Sequence, residues 1–76
     1  MDYNFTVKDV PKKDCHIVEV IISEADEIMW KEILPVKYEK GQVLMDLEYI
    51  KQKLPDPETR RRMIARLKMF IAEMNK

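Results

Sequence analysis

The first part of the chain alternates between apolar and polar residues. A period of two over residues 3–8 predicts a half-buried β-strand, whose inward positions are Tyr3, Phe5 and Val7. Proline and charged residues at positions 9–14 then predict a loop. The β-branched run at 15–22 predicts a second strand. One of its faces carries His16, Val18, Val20 and Ile22, and the other carries Cys15, Ile17, Glu19 and Ile21. Together the two segments predict a β-hairpin.

The segment at 28–38 fits two templates. As a strand it places most of its large apolar residues on one face, with Glu32 as the exception. As a helix it places Glu32 within its most apolar arc, so the strand is favoured. Pro35 has no N–H to donate, which predicts an edge strand or an interruption at that residue. The preceding residues 23–27 predict either a helix N-cap or a polar turn.

A short polar loop with Gly41 late in it predicts a hairpin turn in which the glycine takes a positive φ. The fourth strand would then cover residues 42–50. A helix is the alternative for this segment, because one helical stripe would carry Val43, Leu47, Ile50 and Leu54.

The C-terminal segment predicts an amphipathic helix over residues 57–74. Asp56 is a candidate N-cap, Pro57 suits the first helical position, and Glu58 complements the positive end of the helix. The apolar residues recur at helical spacing and form one stripe, which comprises Met63, Ile64, Leu67, Phe70, Ile71 and Met74.

These elements predict a single α+β domain over residues 1–76, with a four-stranded antiparallel β-meander followed by one C-terminal helix. The alternative fold is a β-hairpin followed by two or three helices. One amphipathic helix can cover only one face of a sheet. The other face would keep more apolar residues than a solvated surface needs, so we expect a homodimer that buries Ile17, Ile21, Met29 and Ile33.

The chemistry available to the chain is limited. Gly41 is the only glycine, which excludes Gly-rich phosphate-binding loops. Cys15 and His16 are the only cysteine and the only histidine, so neither an intrachain disulfide nor a Cys/His zinc site is expected. On a strand their side chains point to opposite faces and cannot form a nucleophile–base pair. We therefore expect no enzyme activity, no cofactor and no metal.

The longest apolar run is Met69–Ala72, which is four residues and far short of the roughly 20 that a membrane-spanning helix needs. The N-terminus has no basic segment followed by an apolar one, as a signal peptide would. A single thiol and no export signal predict a cytoplasmic protein with no membrane contact.

Charge is distributed unevenly although the chain is neutral overall. Residues 1–50 carry 6 basic and 11 acidic residues, a net charge of −5, and residues 51–76 carry 8 basic and 3 acidic, a net charge of +5. Arginines beside an exposed apolar residue are typical of a protein-contact patch, which predicts a basic contact at Arg61, Arg62, Arg66 and Met69, and a solubilising helix face is the alternative. The acidic residues Glu24, Asp26 and Glu27 lack the later ligands of a calcium loop and predict a solvated turn, with a second, acidic partner contact as the alternative.

Polarised charge without catalytic motifs is typical of an inhibitor, adaptor or accessory regulator, a class that includes proteins encoded by phages and mobile elements. We expect a small cytoplasmic protein-binding module that occludes a partner's surface. The alternative is a binder of single-stranded or duplex nucleic acid, which would use Arg60, Arg61, Arg62, Arg66 and Lys68. The predicted architecture resembles the dimeric single-strand-binding folds of the Pur-alpha and whirly kind, without a shared motif, and this resemblance implies the nucleic-acid alternative.

Overall fold

The computed structural model contains a four-stranded antiparallel sheet in the order β1-β2-β3-β4, followed by two helices. It describes the backbone of residues 1–12 and 15–74, and the side chains of residues 1–8 and 15–74. The predicted α+β class and the meander are confirmed. The elements are β1 (Asp2–Lys12), β2 (Cys15–Glu24), β3 (Glu27–Glu39), β4 (Gln42–Met45), α1 (Leu47–Lys53) and α2 (Pro57–Met74).

The first strand is longer than the alternating pattern predicted. β1 continues to Lys12, so the loop expected from position 9 is wrong as far as residue 12, and the remaining two loop residues lie outside the described residues. The pairing with β2 is regular from Asp2 to Val7 and irregular afterwards, with register shifts on both sides of Asp9. Irregular pairing accommodates a strand in which apolar and polar residues no longer alternate.

Both remaining hairpins turn within two residues. Ala25 and Asp26 join β2 to β3 with φ of 53° and 65°, and Lys40 and Gly41 join β3 to β4 with φ of 52° and 76°. Positive φ at both central positions is the requirement of a type I′ turn, whose twist matches that of the strands. The acidic segment at 23–27 is therefore a strand end and a turn, not a helix cap.

Replacing Ala25 with glycine is expected to stabilise the protein by about 0.5 to 1 kcal/mol. The Cβ of alanine is unfavourable at a positive φ, and glycine removes that penalty at some cost in chain entropy. Ala65 is exposed on α2, so Ala65→Gly is a matched control that should destabilise by about 1 kcal/mol. Urea unfolding followed by circular dichroism measures both variants, and a destabilised Ala25→Gly would contradict the turn geometry.

β3 is continuous through Pro35, and it is an edge strand over much of its length. β4 pairs only with Val36–Glu39, so residues 27–35 of β3 have no strand on that side among the described residues. This agrees with the expectation that proline requires an edge. A register shift next to the Ser23–Ile28 pair makes Met29 the extra residue of a bulge.

The predicted fourth strand is wrong in its second half, because β4 ends at Met45 and α1 takes its place. Asp46 begins the helix: its carboxylate accepts a hydrogen bond from the backbone N–H of Tyr49 at 3.1 Å. This capping bond satisfies a backbone N–H of the first helical turn, which has no hydrogen-bond partner within the helix. α1 directs Ile50 into the core, where it is 1 % exposed. Of the two patterns that residues 42–50 satisfy, the helical stripe therefore describes the second half of the segment, and the strand alternation describes only the first half.

α2 begins after Asp56, whose carboxylate accepts hydrogen bonds from the side chain and the backbone N–H of Thr59. These two bonds, the side-chain bond foremost, lower the pKa of Asp56 below its ordinary value. The helix buries one stripe of its predicted apolar residues completely, and this stripe is Met63, Leu67 and Ile71. Among the residues that the structure describes, neither helix has the length and hydropathy needed to cross a bilayer.

The core lies between α2, α1 and one face of the sheet, which we call the inner face. Its buried strand residues are Val18, Val20, Ile22, Leu34 and Val36, with Tyr3, Phe5, Val7, Trp30, Tyr38, Val43 and Met45 packed around them. The indole N–H of Trp30 donates to the carbonyl oxygen of Lys53 at 2.9 Å, which ties β3 to the end of α1.

Glu32, the exception on the inner face, is opposite Val20 and forms a hydrogen bond with Tyr49. Burial, and then this bond and the negative charge of Glu32, raise the pKa of Tyr49. A polar position on an otherwise apolar strand face is thus accounted for by a partner on α1.

Candidate interaction surfaces

The sheet face opposite the helices has no layer over it among the described residues, and we call it the outer face. Strand alternation dictates its membership, because every second side chain of β2 and β3 must point away from the core. The register places Ile17 opposite Pro35, Glu19 opposite Ile33, and Ile21 opposite Lys31. Ile33 therefore lies diagonally from both Ile17 and Ile21, within reach of each.

Three of the four residues predicted for a dimer face thus come together on the outer face. Ile17 and Ile21 are partly exposed, and Ile33 is 51 % exposed. The fourth, Met29, is exposed at the bulge near the end of the same sheet. Leu44 of β4 adds to this surface, since it pairs with Lys37 and is 44 % exposed. Its outward position follows from the alternation of β4, in which Val43 and Met45 point inward.

A charge ladder crosses the middle of the outer face. Glu19 lies 3.6 Å from the ammonium of Lys8 on β1 and 3.6 Å from that of Lys31 on β3. Only 14 % of its side chain is exposed, whereas the two lysines are about half exposed. The ladder leaves the outer face amphipathic, with isoleucines on both sides of a row of opposite charges.

The acidic residues predicted as a contact lie together at the hairpin turn between β2 and β3. Glu24 and Glu27 are a cross-strand pair, Asp26 is between them in the turn, and all three are exposed. No group of three or more potential metal ligands occurs in the described part of the chain. The cluster is a solvated turn with like charges opposite each other, an arrangement that favours a cationic partner.

The basic residues of α2 do not form one patch. Arg60 donates to the carbonyl oxygens of Leu54 and Pro55 at 3.1 and 3.2 Å, which closes the chain between α1 and α2. Arg62 pairs with Glu58 at 2.8 Å one turn earlier on the helix. Arg61 and Lys68 are exposed, and no ion pair within 4.0 Å involves either of them in the part of the chain that is described.

The remaining arginine of the predicted contact belongs to a different feature. Arg66 lies over the ring of Tyr3, 5.0 Å from its centroid, and Phe70 packs on Phe5 with centroids 5.5 Å apart. Between β1 and α2 these side chains line an open groove of about 570 Å³, the β1–α2 groove, formed by Tyr3, Phe5, Arg66, Met69, Phe70 and Glu73. Met69 and Arg66 are thus brought together as predicted, while the aromatic wall from β1 was missed, since its residues were assigned to the core.

Cys15 and His16 lie on opposite faces, as the alternation predicted. Cys15 is opposite Lys37 and partly exposed, while His16 is opposite Val36 on the inner face and only 6 % exposed. Neither ring nitrogen of His16 has a hydrogen-bond partner among the described residues. No nucleophile–base pair is formed by these two residues.

Comparison with known proteins adds no relative to this description. No protein-family model matches the chain, and neither a curated protein nor a solved structure matches it.

Proposed function

We propose that this protein is a small, non-enzymatic protein-binding module that acts by covering part of a partner's surface. The observation that carries the proposal is the uncovered outer face, where the isoleucines at positions 17, 21 and 33 surround the Glu19 ladder. A half-apolar, half-charged sheet face is typical of a surface that is buried on binding while the protein also exists alone.

The chemistry of the outer face indicates the kind of partner. Its apolar residues require a matching apolar surface, and its exposed lysines favour acidic groups at the rim of the contact. Binding through this face would block the partner's surface, because the face is broad and carries no arrangement of catalytic side chains among its described residues. With its single unpaired thiol, Cys15, the module suits a reducing compartment such as the cytoplasm.

Nucleic-acid binding is the weaker candidate for physical reasons. Phosphate affinity depends on how many cations are available to neutralise the backbone. Three of the five residues predicted for that role, Arg60, Arg62 and Arg66, have partners within the fold, and the net charge of the whole chain is zero.

Capture from a native lysate by the immobilised protein, with quantitative mass spectrometry, tests the proposal when matched variants are compared. The test variant is Ile33→Lys with Leu44→Glu, which leaves the net charge unchanged on the outer face. The control is Leu47→Lys with Met74→Glu on the helices, where the native side chains are 55 % and 44 % exposed, against 51 % and 44 % for the test pair.

A partner that binds through the outer face should be lost at least about tenfold from the test variant and retained by the control. Equal retention by both variants would contradict the assignment of the outer face. Binding of single-stranded or duplex oligonucleotides at low salt, abolished by Arg61→Glu with Lys68→Glu, would support the nucleic-acid function instead.

A further inference from the structure

The outward edge of β1 has no neighbouring strand among the described residues, because β1 is first in the order of the sheet. From Asp2 to Val7 its pairing with β2 is regular, so this part of the edge contains no bulge. An unpaired edge of this length presents a row of backbone N–H and C=O groups that another strand can pair with. The edge runs beside the β1–α2 groove, whose aromatic side chains are only partly buried.

We propose that a second copy of this chain pairs with the β1 edge in the antiparallel direction and extends the sheet to eight strands. The edge is self-complementary in one register, with Phe5 opposite the partner's Phe5. In that register Asn4 is opposite the partner's Thr6, and Asp2 is directed toward the partner's Lys8, which lies at the register shift that ends the regular part of the edge. Shifting the register by two residues in either direction separates Asp2 from the partner's Lys8.

The same two-fold axis brings the two copies of α2 into a complementary arrangement. Arg66 lies over Tyr3, and one turn later Phe70 lies over Phe5, so α2 advances along β1 in the direction of the strand. Glu73 is the next groove residue along that side of the helix. A two-fold axis through the Phe5 pair therefore directs Arg66 of each copy toward the partner's Glu73. The dimer contains two such Arg66–Glu73 pairs, one on each side of the axis. A single symmetry operation thus satisfies both opposite-charge pairs and buries the apolar wall of the groove.

A second copy suits this edge better than the outer face. Stacking two outer faces would oppose two identical sets of half-exposed lysines, Lys8 and Lys31, whereas a different partner can supply the acidic groups that these lysines favour. Pairing at the edge leaves both outer faces uncovered on the same side of an eight-stranded sheet. This doubles the area of outer face that is available to bind a partner. The dimer rests on the β1 edge and the groove, so its test is independent of whether the outer face binds a partner.

Light scattering on a size-exclusion peak tests the dimer directly. The expected mass at micromolar concentrations is twice the 9.1 kDa of the chain. Hydrogen exchange followed by NMR should show alternate backbone amides of residues 2–8 becoming protected as concentration rises. A monomeric mass across this range would overturn the proposal.

Charge exchange identifies the surface. Arg66→Glu and Glu73→Arg should each weaken the dimer at least about tenfold, because each places like charges together at two symmetric sites. The double variant should restore it. Arg61→Glu makes the same chemical change outside the groove and should leave the mass unchanged. Circular dichroism of each variant separates loss of the dimer from loss of the fold.

The competing surface gives a distinct outcome. If Ile33→Lys with Leu44→Glu produces monomers while Arg66→Glu does not, the copies meet through their outer faces and the edge pairing is wrong. Failure of the double charge exchange to recover the dimer would also contradict the arrangement.

Discussion

Leu67→Ala is expected to destabilise the protein by about 2 to 5 kcal/mol, the range for truncating a fully buried leucine. Leu67 has no exposed surface and is the middle residue of the stripe that α2 presents to the sheet. Domains of this length are stable by about 4 to 11 kcal/mol in total. The single truncation therefore removes a large share of the stability, and part of the population should be unfolded at 37 °C.

The same substitution at an exposed helical position provides the control. Leu47 on α1 is exposed, so Leu47→Ala should change the unfolding free energy by less than about 0.5 kcal/mol. Urea titrations of both variants, followed by circular dichroism and by the fluorescence of Trp30, give the two free energies. Equal effects would mean that α2 is not the layer that closes the core.

His16→Leu is expected to stabilise the protein by about 1 to 3 kcal/mol. The imidazole is buried on the inner face, and neither nitrogen has a hydrogen-bond partner in the described part of the chain. A buried polar group without a partner keeps its desolvation cost, which an apolar side chain of similar volume removes. Thermal and urea unfolding measure the gain, which should appear as a higher melting temperature and a higher urea midpoint.

His16→Gln is the control because it keeps an unpartnered polar group at the same position. This variant should be less stable than His16→Leu. The opposite ranking would show that the ring of His16 is hydrogen-bonded in solution, and that it contributes to the fold through that bond.

Local patterns were sufficient for most of the secondary structure. The alternation in β2 and the apolar stripe of α2 each match one period only, and both elements lie where they were predicted. Residues 42–50 satisfied both periods, so their pattern could not choose between strand and helix. The choice depends on the space that Ile50 fills in the core, which a window of nine residues does not show. Asp46 lies inside that window, but an aspartate acts as a cap only where a helix forms, so its residue type alone did not decide between strand and helix.

The interaction surfaces were predictable only in part. The uncovered face follows from counting layers, because one amphipathic helix cannot cover both sides of a sheet. The basic contact was predicted from spacing along a single helix, which ignores the rest of the fold. Arg60 caps the chain between the helices and Arg66 lies over Tyr3, so side chains that are neighbours on the helix serve different parts of the structure.

The charge asymmetry is determined partly by the sequence and partly by the tertiary structure. Residue counts alone determine that the last 26 residues carry +5 and the rest −5, and periodicity determines that most of this positive charge lies on one helix. Which arginines face another part of the chain depends on how α2 crosses the sheet, and thus on contacts between residues far apart in sequence. The β1–α2 groove and the Glu19 ladder also arise from such contacts, because cross-strand register and helix placement are determined by packing of the whole core.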